Sequence, residues 1–219
     1  AAGALMIYGA IAAHYVPIQR VTLQSAKIPE RLERVRIVQI SDLHLGTMLY
    51  PGRLEPILAA IQEARPDILV STGDLIDGPL GDSEEVAQAF HALPATMGKY
   101  AVTGNHEFYL GLPKATQFIG SAGFHLLRGT CVAAKEVIAI AGVDDPAGRT
   151  TEGLSETELL AKIPPDKFAI LLKHRPLADS AAQGHFDLQL SGHTHNGQIF
   201  PFSLVIKMLY PFTAGLYAI

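Results

Sequence analysis

The stretch Val35-Arg36-Ile37-Val38-Gln39-Ile40-Ser41-Asp42-Leu43-His44 decides how the chain is read. Apolar and polar residues alternate as far as Ile40, the period of a half-buried strand, and two ligand-type side chains, Asp42 and His44, follow at once. The same pairing of apolar run and polar end recurs. Ile68–Ser71 leads to Gly73-Asp74, Tyr100–Val102 to Gly104-Asn105-His106, Phe168–Leu172 to His174, and Leu188–Leu190 to Gly192-His193-Thr194-His195, while Val137–Ala141 is a sixth apolar run. Between them, Arg53–Arg65 and Glu84–Leu93 carry helical spacing. Asp82 with Glu85 opens the second of these, and Ser155 with Glu158 forms a capping box ahead of Pro164-Pro165. A β-α-β order early and a strand-rich order later predict an α/β domain in which helices cover a two-layered sheet of mixed direction. Strand carboxyl ends form the ligand crevice of open α/β sheets, so the five polar clusters are expected to converge in space.

Composition narrows the classes. A chain of 219 residues is one fair-sized domain, large enough to need neither a disulfide framework nor a structural metal. With 48% hydrophobic and 17% charged residues it is too apolar for disorder. Seventeen basic against twenty-one acidic residues leave no basic surplus for phosphate-backbone contact, so nucleic acid is not an expected partner. The single cysteine, Cys131, excludes an intrachain disulfide and Cys-rich zinc sites, and reads as a small core residue. That leaves the nine histidines. His14, His91, His125 and His185 lie outside the clusters and are given no role, and Asp144-Asp145 before Pro146 reads as a turn.

Asp42-Leu43-His44 and His193-Thr194-His195 are i, i+2 pairs, whose side chains share one side in extended backbone and could serve one metal centre. Gly73, Gly104 and Gly192 leave room for close backbone approach. Two carboxylates, one amide oxygen and four imidazoles, without thiolate, suit two divalent ions, and Asp74 offers two oxygens with which to bridge them. A zinc hydrolase of the metallo-β-lactamase type would need a His-x-His-x-Asp-His run. Here the His-x-His pair is followed by Asn196-Gly197.

As a set, Asp42-Leu43-His44, Gly73-Asp74, Gly104-Asn105-His106-Glu107, His174 and Gly192-His193-Thr194-His195 resemble the calcineurin-like metallophosphoesterases. Asn105–Tyr109 and Ala141–Asp145 look like the bacterial membrane-associated or exported phosphodiesterase branch. The resemblance implies a four-layer α/β/β/α sandwich and two divalent ions, whether Mn, Zn, Fe or Mg. It implies that Asp42, His44, Asp74 and His195 hold one ion, that Asp74, Asn105, His174 and His193 hold the other, and that His106 is the catalytic histidine. Two cations about 3.5–4 Å apart would acidify a bound water, whose hydroxide attacks phosphorus in line while His106 serves the departing oxygen. Asn196, where the branch commonly has glycine, and Glu107, where aspartate is more usual, depart from the pattern without removing a ligand. Asp77 stands where purple acid phosphatases carry a tyrosine, so an iron–phenolate site is not expected. The rival readings are a non-catalytic metal-binding scaffold on the same fold and a phosphodiesterase of soluble substrates.

The two ends concern the membrane. Residues 1–16 carry no charge but fall short of the roughly 20 a spanning helix needs, and read as the remnant of a longer transmembrane or signal segment. Residues 1–20 are then an apolar attachment and 21–219 the metallophosphoesterase domain, incomplete at its C-terminal end. Arg20, Lys27, Arg31, Arg34 and Arg36 favour the cytoplasmic face of a membrane, with export as the alternative. Ile199–Ile219 has one charge, Lys207, while Pro201 and Pro211 argue against a continuous span. Beginning four residues after His195, it is expected to form an apolar flap beside the site. Such a flap suits a phosphoester substrate attached to lipid at a membrane surface, a UDP-diacylglucosamine being one example.

Overall fold

The computed structural model describes residues 3, 16, 18–46, 51–79, 83–148, 153–195 and 202–218. Most of the apolar stretch 1–16 lies outside them, as do Asp82, Asn196-Gly197 and Ile199–Pro201.

Two four-stranded sheets form the centre. The first consists of β1 (Ile37–Ile40), β2 (Ile68–Ser71), β3 (Gly98–Ala101) and β4 (His125–Leu126), in that spatial order and parallel throughout. In the second, β5 (Thr130–Ala134) runs antiparallel to β6 (Ile138–Gly142), and β7 (Phe168–Leu172) and β8 (Leu188–Leu190) follow in parallel. Direction is therefore mixed, as expected. The helices are α1 (Pro51–Ala64), α2 (Ser83–His91), α3 (Asn105–Leu110), α4 (Leu112–Ser121), α5 (Glu156–Leu160) and α6 (Phe202–Leu209).

Strand alternation separates the layers. Leu69 and Ala101 turn one way and pack with Ile57 and Ile61 of α1, Phe90 of α2, and Phe118 and Ile119 of α4. Their neighbours Ile68, Val70 and Tyr100 turn the other way, against Ile138, Ile140, Ile170 and Leu172 of the second sheet. On that sheet's outer face, Ala141 and Leu171 meet Leu159 and Leu160 of α5. The order is helices, sheet, sheet, helix: the α/β/β/α sandwich. Because β2, β6 and β7 are buried along their whole length, they read in sequence as unbroken apolar runs.

Several features depart from the sequence reading. Neither β5 nor α3–α4 was expected. The helix α4 does carry the spacing Ala115, Phe118, Ile119, all buried. Along β5, an edge strand, most positions are exposed, so its pattern is weak. Cys131 lies on that edge and is exposed, not a core residue. The Ser155–Glu158 box is formed, with the Ser155 N–H donating to Glu158 Oε2 at 2.9 Å.

Candidate metal centre

The loops after β1, β2, β3, β7 and β8 meet at one end of the two sheets. Backbone bonds extend the β1–β2 pairing into them: Asp42 N–H donates to Gly73 O and His44 N–H to Asp74 O, both at 3.0 Å. Gly73, at φ +98°, packs so closely that a Cβ would lie 2.6 Å from Gly104 N and 2.7 Å from His174 Nδ1. The expected extended geometry of the i, i+2 pairs is not what forms. Asp42, His44, Asp74, His193 and His195 all have positive φ, between 47° and 73°. Such backbone costs a non-glycine residue about 1–2 kcal/mol and is tolerated best by Asn, Asp and His. Asp42 and His44 nonetheless share one cluster, whereas His193 and His195 join different ones.

The first cluster is Asp42, His44 and His195, and the second Asp74, His174 and His193; within each, candidate ligand atoms lie within 4.8 Å of one another. His44 Nε2 faces His195 Nε2 at 3.2 Å, and His195 Nε2 lies 3.4 Å from Asp42 Oδ1. In the second, His174 Nε2 is 3.2 Å from Asp74 Oδ2 and 3.1 Å from His193 Nδ1. Asp74 Oδ2 also stands 3.9 Å from His44 Nε2, so one carboxylate oxygen reaches a histidine of each cluster. Among the described residues the buried Asn105 Oδ1 has no hydrogen-bond partner. An orphaned acceptor and converging imidazole nitrogens are what a cation would satisfy, so the residues fit a divalent metal.

Outer contacts fix the rings. His44 Nδ1 lies 3.2 Å from Asp77 Oδ2, and His174 Nδ1 lies 2.8 Å from Thr72 O, which turns both Nε2 atoms inward. The outer nitrogen of His193, Nε2, meets Tyr210 Oη at 2.8 Å. His193 N–H donates to Asp42, and His106 N–H donates to Asp74 Oδ1 at 2.9 Å. Burial pulls the His44 pKa below its ordinary value, and His106 and His195 reinforce this. Burial lowers His193 too, helped by His174 and Arg175. Burial alone would lower His174, but the hydrogen bond and charge of Asp74 carry it above the ordinary value.

His106 sits edge-on to His44 with ring centroids 4.6 Å apart, and with His44 and Asp77 it makes a third potential ligand group. Glu107, which the sequence marked only as a departure, is wholly buried. Its Oε1 accepts from Leu75 and Ile76 N–H, and its Oε2 from Asp74 and Gly104 N–H. Asp144 and Asp145 do turn the chain, but each also holds an arginine: Arg128 donates to both oxygens of Asp144 and Arg175 to both of Asp145. Arg175, adjacent to His174, and Tyr210 were missed as site residues; position next to a ligand was the signal available for the first.

A model of the calcineurin-like phosphoesterases matches residues 35–197. The chain belongs to that family. Among relatives of this metallophosphoesterase, one from Aquifex aeolicus is 37% identical over 196 residues, covering 88% of this chain and 75% of its own. A zebrafish (Danio rerio) transmembrane protein with a metallophosphoesterase domain is 30% identical over 230 residues, covering 98% of this chain and 53% of its own. Of the latter the present chain thus spans about half. Among solved structures, that of Pseudomonas putida nuclease MPE matches with a TM-score of 0.39 and 19% identity, covering 73% of this chain and 62% of its own. Membership makes the chain a metal-dependent phosphoester hydrolase of a family that normally binds two divalent metals. Among the described residues no helix is long and apolar enough to cross a membrane.

Proposed function

We propose that this metallophosphoesterase cleaves a phosphodiester or pyrophosphate bond in a lipid-linked substrate at a membrane surface. Asp42, His44, Asp74 and His195 would hold one divalent ion; Asp74, Asn105, His174 and His193 would hold the other. The observation that carries the reading is the approach of Asp74 Oδ2 to a histidine of each cluster. When bound, two such cations supply charge stabilisation of phosphoryl oxygens and an activated water. Glu107 holds the Asp74 and Gly104 backbones in place, and Asp77 and Thr72 keep the His44 and His174 rings turned inward. His106, partly exposed beside His44, is placed to give a proton to the departing oxygen.

The test is turnover by metal-stripped protein, with Mn²⁺, Zn²⁺ or Mg²⁺ restored, of a generic phosphodiester, a phosphomonoester and a nucleoside-diphosphate lipid. Metal-dependent hydrolysis of the diester or diphosphate is expected. Hydrolysis of the monoester alone, or none with metal bound, overturns the reading.

The lipid part rests on the C-terminal segment. Tyr210, which touches His193, immediately follows α6, on which Leu204, Val205, Met208 and Leu209 are exposed, Met208 at 86%. An apolar helix surface joined to the site suits a bilayer interface, and the basic residues from Arg20 to Arg36 suit an anionic one. Met208→Ser with Leu209→Ser is expected to leave thermal stability unchanged and to abolish a preference for an acyl-bearing diphosphate over its deacylated analogue. Equal wild-type rates on both would leave a phosphodiesterase of soluble substrates.

A further inference from the structure

Beyond the two clusters stands a cation that the hydrolytic reading does not use. The Asp145 side chain is wholly buried, whereas Arg175 keeps 30% of its side chain exposed. Arg175 donates from Nε to Asp145 Oδ2 at 2.8 Å and from Nη2 to Oδ1 at 3.0 Å. This pair hides its anionic side and presents its cationic one. Nη1 donates to no acceptor among the described residues. The grip is itself well founded: Asp145 Oδ1 also accepts the Ala147 N–H at 2.8 Å, and Asp145 N–H donates to Thr103 Oγ1, one residue before Gly104.

Arg175 directly follows His174 of the second cluster in the chain. The same residue lines a cavity of about 80 Å³ with Asp145, Lys173, His174 and Leu177; Lys173 there is paired with Glu156. His174 and Arg175 are consecutive, so this cavity and cation adjoin the second cluster without belonging to it. Oxygens of the scissile phosphorus belong between the clusters; an anion that also reaches Arg175 must extend beyond them. A guanidinium with a free N–H is a strong directional donor to phosphoryl oxygen, more so at the edge of a half-buried site than in water.

We propose, resting on the hydrolytic reading above, that Arg175 binds the phosphoryl group next to the scissile one, held for that purpose by Asp145, so that the site selects a diphosphate over an isolated phosphodiester. The experiment measures binding by calorimetry to metal-loaded protein, with methylenediphosphonate and methylphosphonate as probes. Arg175→Ala is expected to weaken methylenediphosphonate at least about tenfold and methylphosphonate less than about threefold, at unchanged metal content. Arg175→Lys, which keeps a charge against Asp145 without the planar fork, is expected to restore thermal stability and leave the diphosphonate preference lost. Equal weakening of both probes by Arg175→Ala, weakening of neither, or recovery of the preference by lysine overturns the proposal. Should wild-type protein bind two metals yet turn over no substrate, the hydrolytic reading fails, and the binding comparison still decides the role of Arg175.

Discussion

Glu107 and Asp145 are both buried carboxylates that hold residues of the ligand-bearing loops, yet they do so in different ways. Among the described residues Glu107 has no cationic partner; it gathers four backbone N–H groups from the β2 loop and the start of α3. Burial pushes its pKa above the ordinary range although the bonds from Gly104, Ile76 and Asp74 oppose this. Asp145 instead grips a side chain, Arg175, whose far edge is open to solvent. The first device fixes main chain and hence the ligands Asp74 and Asn105. The second fixes one mobile side chain at the rim. A backbone anchor cannot relax without moving ligands, whereas a released arginine can turn to water.

The largest effect is therefore expected at Glu107. In Glu107→Gln the amide NH₂ must face two of the four N–H donors, each left unsatisfied at about 1–3 kcal/mol. Urea unfolding is expected to show a loss of several kcal/mol, and elemental analysis a protein unable to fill either metal position. Near-native values of both would break the comparison at its stronger side.

Next comes Asp74→Ala, which removes the carboxylate oxygen reaching both clusters and spares Glu107. Loss of both metals from a folded protein is expected; retention of near-full stoichiometry would show that the two positions are held independently. Smaller again, His106→Asn is expected to lower turnover by about 10²–10⁴ with metal content intact. A protein that arrives metal-free would make His106 a ligand, in line with its grouping with His44 and Asp77. The mildest change is Asp145→Asn, which frees Arg175 while leaving both ligand clusters alone. A several-fold rise in KM for a diphosphate, little change in kcat and full metal content are expected. If this variant instead lost metal as Glu107→Gln does, the two carboxylates would be equivalent anchors after all.

Much of the site was legible in sequence because ligand chemistry follows each strand directly. Asp42, His44, Asp74, Asn105, His174, His193 and His195 were named from their places after apolar runs, and the carboxylates and histidines among them fall into two clusters. Among the strands that were found, β2, β6 and β7 are buried along their whole length. The edge strand β5, largely exposed, and the short α3, six residues long, gave no comparable pattern. Spacing served one i, i+2 pair and not the other: Asp42 and His44 share a cluster, whereas His193 and His195 go to different ones, with positive φ in both pairs.

By itself the sequence determined the layered α/β architecture and supplied the candidate ligand residues, since strand period and side-chain chemistry are local properties of the chain. Tertiary structure alone decided the partnerships. That Glu107 would collect N–H groups from a loop thirty-odd residues earlier, that Arg175 would meet Asp145, and that Tyr210 would cap His193 are contacts between segments that only folding brings together. A buried carboxylate must find donors wherever the packed chain supplies them, and no local pattern records which ones those are.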